Sequence, residues 1–296
     1  MSLRPSIRDV PVADAVLYDR VAQAAAATVI RDYSSSFGLA CRLLSRPLRG
    51  HVRNVYALVR LADEVVDGPL GVRAPGRAAA LLDRLEQDTF EALRDGYSTN
   101  LVVHAFALTA RTCGIAPELV TPFFASMRAD LTVTRHDESS FARYVYGSAE
   151  VVGLMCLQVF LAEGQPAPGA SEEQLREGAR RLGSAFQKVN FLRDLGADHE
   201  GRGRSYFPGV DPAALTELEK HRILDDVDAD LAAARPTIGL LPDGSRRAVA
   251  VAAAVFTELS RRLRRTPADQ VVAGRVRVPS TVKARVALTS LAQRPR

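Results

Sequence analysis

Residues 46–67, RPLRGHVRNVYALVRLADEVVD, decide the fold. Val55, Leu58, Val59, Ala62 and Val66 recur at three- and four-residue steps, a spacing that predicts an amphipathic helix with one apolar face. Ser45 stands at the capping position, Pro47 suits the first turn, and Gly68-Pro69 stops the helix. Beside the apolar face, Tyr56, Arg60, Asp63 and Asp67 fall at i, i+4, i+7 and i+11, which puts them on one stripe.

The same periodicity extends along the chain. It predicts helices at 13–30, 75–96, 99–113, 117–130, 139–162, 172–199, 212–233, 244–265 and 279–291. Breakers separate them at Gly114, Gly164–Gly169, Gly201–Pro208 and Pro242-Asp243-Gly244. Strand signals are scarce and no repeat has a fixed period. The reading is therefore one all-α domain over 1–296, with 1–12 as a loose leading segment and room for a cavity between helices. The longest apolar run, Val151–Ala162, is too short to span a bilayer, and nothing near Met1 resembles a signal peptide. Cys41, Cys113 and Cys156 are odd in number and far apart, which suggests reduced thiols buried as small hydrophobes in a cytoplasmic protein. The five histidines show no paired ligand spacing, so a histidine-held metal is not expected.

A second stripe lies on the helix ending near residue 199, where Gln187, Asn190, Asp194 and Asp198 fall at i, i+3, i+7 and i+11. Phe186, Val189 and Leu192 line the apolar face beside it. Each of the two helices thus carries Asp-x-x-x-Asp next to a surface destined for burial. Carboxylates one turn apart repel each other, and near a core they need a cation between them. Mg2+ prefers oxygen ligands and bridges carboxylates to phosphates. Spacing alone leaves two readings open: a magnesium and diphosphate clamp, or two solvated acidic faces.

Net charge is +5, but residues 231–296 hold 13 Lys or Arg against Asp243, Glu258 and Asp269, a local +10. GC-rich codon usage, a phosphate-rich ligand or an anionic membrane surface would each account for it. Nucleic acid is not expected as a partner. The chain has no Trp, no aromatics interleave with the arginines, and no nucleic-acid-binding motif is present.

The wider segments discriminate further. Residues 33–67, YSSSFGLACRLLSRPLRGHVRNVYALVRLADEVVD, and 187–208, QKVNFLRDLGADHEGRGRSYFP, resemble the two signature regions of the squalene/phytoene synthase family of head-to-head prenyl transferases. The family patterns are Y-S-x-S-F, Y-A-x-x-R-x-x-D-[DE]-x-x-D, and Q-x-x-N-x-x-R-D-x-x-x-D followed by R-x-Y-x-P. YVYGSAEVVGLM at 144–155 resembles the family's central helix, and GRVRVP at 274–279 the tail of phytoene synthases.

The resemblance implies a single-domain isoprenoid-synthase fold with a central cavity, two or three Mg2+ ions and prenyl diphosphate substrates. Asp63 and Asp67 would hold metal on one wall, with Asn190, Asp194 and Asp198 on the other. Ser34, Ser36 and Phe37 would line the first diphosphate site and the cavity mouth. Arg60, Arg193 and Arg275 would contact phosphate oxygens. Gln187 falls within the second signature and is assigned to substrate binding, and Tyr56, Tyr144 and Tyr206 would face the reacting carbons or their diphosphates. Read without the family, Tyr144 fits a core aromatic, Arg275 a surface arginine, and Ser34 and Ser36 helix caps. Three positions depart from the pattern: Glu64 where Asp is commoner, Glu150 where a small residue is usual, and Phe256 where many members have Tyr. Glu150 would alter the cavity wall or form a salt bridge outside it.

In the family, two prenyl diphosphates pass through a cyclopropyl diphosphate and are joined head to head. The GRVRVP ending and the absence of a nicotinamide fingerprint favour C20 substrates giving phytoene without NADPH. The alternatives are a C30 enzyme making dehydrosqualene, squalene or hydroxysqualene, and a non-catalytic lipid-binding relative. Head-to-tail prenyl transferases are disfavoured, because their motifs are D-D-x-x-D-like. The basic C-terminal region suggests peripheral contact with the inner face of a membrane.

Overall fold

The computed structural model describes residues 12–33 and 36–292, and among these there is no β-strand. Two neighbouring helix groups carry separate cores. The first group contains α1 (Val12–Tyr33), the short α2 (Ser36–Cys41), α3 (Arg46–Asp67), the one-turn α4 (Pro69–Arg73), α5 (Pro75–Asp95), α6 (Leu101–Cys113) and α7 (Pro117–Thr132). Next come α8 (Glu138–Val145), a π-helical turn at Tyr146–Glu150, and α9 (Val151–Ala162). The rest is the 31-residue α10 (Glu172–Arg202), a 3-10 turn at Pro212–Ala214, α11 (Glu217–Ile238), α12 (Asp243–Arg265), α13 (Ala268–Ala273) and α14 (Ser280–Ala292).

The helix over 46–67 forms as predicted. Val55, Leu58, Ala62 and Val66 are each at most 1% exposed, and each apolar side chain so buried contributes roughly 1.5–3 kcal/mol, less for alanine. Pro47 lies in the first turn and Gly68 ends the helix, but the Ser45 side chain makes no capping hydrogen bond. The first core joins α3, α5, α6, α7 and α9 and is largely aliphatic. The second joins α8, α10, α11, α12 and α13, and is richer in rings: Tyr144, Phe191, Tyr206, Phe207 and Phe256.

The predicted helix at 139–162 is interrupted. At Tyr146–Glu150 the hydrogen bonding lengthens, and the Val151 N–H donates to the Tyr146 carbonyl. Close approach explains the site of the bulge. A Cβ at Gly147 would collide with the Pro122 carbonyl of α7, and one at Gly183 would lie 2.6 Å from the Ala149 carbonyl. Joined end to end, Glu138–Ala162 is long and apolar enough to cross a membrane, but 50% of its apolar window is buried inside the protein. Lying between α7 and α10, it acts as a core element.

All three cysteines are free thiols; Cys41 and Cys113 are buried. Burial pushes the Cys113 thiol up to about 11 and the Cys156 thiol up to about 12, so both stay protonated at neutral pH, as expected of small core side chains.

Candidate functional site

The site forms where the C-terminal ends of α3 and α10 meet. Asp67 is the last residue of α3, and Asp198 lies one turn before the end of α10. Gly203 closes α10 with φ +66°, a left-handed conformation that favours glycine, and turns the chain so that Arg204 points back into the molecule. Arg204 is 6% exposed. Its Nη1 lies 2.6 Å from Asp67 Oδ1, 3.1 Å from Tyr206 Oη and 3.5 Å from Asp130 Oδ1. Arg202 spans the two stripes: Nη1 donates to Asp198 Oδ1 at 2.7 Å, Nη2 donates to the Asp67 carbonyl at 3.2 Å, and Nε lies 3.6 Å from Asp67 Oδ1. The Ser205 N–H donates to the Thr134 carbonyl at 2.8 Å, which fixes this return against the loop after α7.

The stripes therefore face each other as predicted, and arginines occupy the space between them. Asp194 accepts from Arg193 Nε at 3.0 Å and lies 2.8 Å from Arg275 Nε. Arg60 donates to Glu64 at 2.6 Å and sits 4.4 Å over the Tyr33 ring. Among the described residues, no guanidinium lies within ion-pair distance of Asp63. Its carboxyl is pushed up to about 7, first by burial and then by the Asp67 charge one turn away, with Arg60 opposing. Burial, against the pull of Arg202, raises Asp198 to about 6, and the neighbouring Asp194 and Asp67 add to the rise.

The oxygen donors suit a hard divalent ion. Asn190 Oδ1 is buried without a hydrogen-bond partner, and Asp63 and Asp67 form a repulsive pair one turn apart. Among the described residues, no three His, Cys, Asp or Glu side chains converge as a ready ligand cluster. Instead Asp67, Asp194 and Asp198 each have a guanidinium in contact, so a metal would have to displace these arginines or share the carboxylates with them.

Of the remaining predicted residues, Gln187 Nε2 donates to Ser148 Oγ at 3.3 Å, tying the second stripe to the π turn. Tyr56 is half-buried against the first core. Tyr144 is both a core aromatic and a site residue: its hydroxyl donates to Asp130, and its ring lies 5.4 Å from that of Tyr206. Tyr206 in turn stacks on Phe191 at 4.0 Å with an interplanar angle of 10°. Arg275 is half-exposed yet bound to Asp194, which joins the basic tail to the second stripe. Ser34 lies outside the described residues, as do the side chains of Ser36 and Phe37. Glu150 accepts from Arg180 Nε at 2.7 Å, so it forms a salt bridge. Phe256 stacks on Phe186 at 3.8 Å.

Three site residues escaped the sequence reading. Arg204 stands within the R-x-Y-x-P pattern and Arg202 two residues before it, but spacing gives neither a role. Asp130 gave no signal, being one isolated acid at the far end of α7 from Glu118. Its side chain is 6% exposed, and burial, opposed by Arg204, raises it to about 7.

Comparison with known proteins gives a consistent picture. The sequence profile of the family described as squalene/phytoene synthase matches residues 30–282. Phytoene synthase 3 of Zea mays is 33% identical over 201 residues, 67% of this chain and 45% of that protein. Phytoene synthase of Daucus carota is 32% identical over 192 residues, 64% of this chain and 45% of that protein. The chain thus spans about half the length of the curated relatives it matches. A dehydrosqualene synthase crystal structure superposes with a TM-score of 0.76 at 20% identity, covering 93% of this chain and 96% of that one. The squalene synthase HpnC from Alicyclobacillus acidocaldarius superposes with a TM-score of 0.70 at 20% identity, covering 84% of this chain and 95% of that one. These likenesses establish the all-α isoprenoid-synthase fold.

Proposed function

The chain belongs to the squalene/phytoene synthase family, and from that premise we propose that it condenses two prenyl diphosphates head to head through a cyclopropyl diphosphate. One observation carries the reading: Arg202 bridges Asp67 on α3 to Asp198 on α10, so both acidic stripes meet at one site. Asp63, Asp67, Asn190, Asp194 and Asp198 would hold magnesium. When bound, the metal would neutralise a diphosphate and make it a better leaving group.

The chain's own residues account for the rest. Arg60, Arg193, Arg202, Arg204 and Arg275 offer planar donor forks to diphosphate oxygens once they leave the carboxylates. Their positive charge stabilises the departing anion. The rings of Tyr144, Phe191 and Tyr206, stacked on one another beside the stripes, would form an aromatic wall that stabilises a carbocation without supplying a strong nucleophile. Gln187, held by Ser148, orients groups on the second wall.

The C20 substrate and phytoene remain the preferred reading, supported by the phytoene synthase relatives and the GRVRVP ending. The test is mass-spectrometric product identification with geranylgeranyl or farnesyl diphosphate and Mg2+, with and without NADPH. A C40 hydrocarbon with a central triene, formed without reductant, is expected. Turnover of farnesyl diphosphate alone, or product only with NADPH, would contradict the C20 non-reductive assignment. No condensation from either substrate would contradict the enzymatic reading.

A further inference from the structure

Two stacked tyrosines, buried beside the acidic stripes, have opposite hydrogen-bond polarity. Tyr144 Oη donates to Asp130, with the two carboxylate oxygens at 2.7 and 2.9 Å. A phenol has one hydrogen to give, so toward any other group Tyr144 presents lone pairs only. Tyr206 Oη instead accepts from Arg204 Nη1 at 3.1 Å, which leaves its own hydrogen available to donate. The rings lie 5.4 Å apart with 27° between their planes, so the two hydroxyls belong to one wall.

Asp130 produces this asymmetry from outside both acidic stripes. It reaches in from α7 with its side chain 6% exposed, and it also lies 3.5 Å from Arg204. The backbone around its partner is fixed as well, since Ser126 Oγ donates to the Tyr144 carbonyl at 3.1 Å from the same helix. We propose that Asp130 is a positioning residue, which commits the Tyr144 hydrogen and turns the Tyr144 oxygen into an electron-rich acceptor beside the reacting carbons, while Tyr206 stays the donor of the pair. This rests on the head-to-head reading above. Tyr144 then stabilises positive charge and does not protonate a leaving group, whereas Tyr206 can donate to a diphosphate oxygen.

The test uses Asp130→Asn, Tyr144→Phe and the double variant in the full chain. At pH 8, above the range in which Asp130 keeps its proton, Asp130→Asn removes the charge at constant shape. It should reduce kcat about a hundredfold, with KM for the prenyl diphosphate changed less than about threefold. Because Asp130 acts through Tyr144, the double variant should match Tyr144→Phe within about twofold. Losses that multiply would overturn the proposal, as would unchanged kcat in Asp130→Asn. If Asp130→Asn does not fold, Asp130→Glu keeps the charge but displaces the oxygen, and the same loss of kcat is expected. A second readout needs no turnover. The 13Cζ resonance of labelled Tyr144, assigned by its absence in Tyr144→Phe, should shift in the Asp130 variant; an unmoved resonance overturns the contact. A wild-type chain that condenses no prenyl diphosphate defeats the functional reading separately, and the resonance still decides whether Asp130 sets the Tyr144 polarity.

Discussion

The two acidic stripes share one spacing, Asp-x-x-x-Asp at the end of a helix, yet they are neutralised differently. On α10, Asp194 is held by Arg193 and Arg275, and Asp198 by Arg202. On α3, Asp67 has Arg204 and Arg202, while Asp63 faces its like-charged neighbour and has no ion-pair partner among the described residues. The second wall thus carries its own counter-charge, and the first leaves one carboxyl wanting a cation. A motif defined by spacing fixes where carboxylates stand; the neighbouring arginines determine which of them is poised for an added ion.

The largest effect expected from this comparison is on turnover. Asp63→Ala and Asp194→Ala should each reduce the rate of product formation by several orders of magnitude while the helical circular dichroism is unchanged. Near-normal activity in either variant would remove that wall from the site.

The stripes should then separate in stability. The Asp63 carboxyl sits at about 7 in the folded chain against about 4 when unfolded, so between those values the folded state keeps a proton that the unfolded state has lost. Stability therefore falls as pH rises from about 4 to about 7. Asp130 at about 7 and Asp198 at about 6 act in the same direction. Thermal melts without divalent ions should give a lower Tm at pH 8 than at pH 5.5. Asp63→Asn should shrink that difference and raise the Tm at pH 8. If its pH dependence matches wild type, Asp63 is not the source.

A smaller effect is expected at the membrane. The basic stretch is partly neutralised by its own surroundings: Arg261 and Arg262 pair with Glu258, and Arg264 with Asp225 and Asp228. Co-sedimentation with anionic vesicles should accordingly be weak, confined to low salt, and lost on adding salt. Retention at high salt would point to an apolar contact instead. The smallest effect belongs to Glu150→Gln. It removes one partly exposed ion pair with Arg180, and should cost less than about 1 kcal/mol in a denaturant melt without altering turnover.

What was legible in the sequence follows from the range of each signal. The long helices were readable because three or more turns repeat one apolar face, as Val55, Leu58, Ala62 and Val66 do. Segments α2, α4 and α13 are too short to show a period, and the bulge at 146–150 depends on the carbonyls of neighbouring helices. The two stripes were readable because each sits on one helix. Asp130 was not, since its role arises from meeting Tyr144 and Arg204 across three separate segments. Likewise, the spacing of Asp63 and Asp194 could not reveal that only one of them has arginine partners.

The central claim is that the two stripes form a single cation and diphosphate site. Thermal stabilisation by Mg2+ and inorganic diphosphate tests it most directly, because a ligand that binds only the folded chain raises Tm by mass action. Wild type should be stabilised by the two together and far less by either alone. Asp63→Asn and Asp194→Asn should each abolish the shift, although they change opposite walls. A full wild-type shift in either variant would contradict the account.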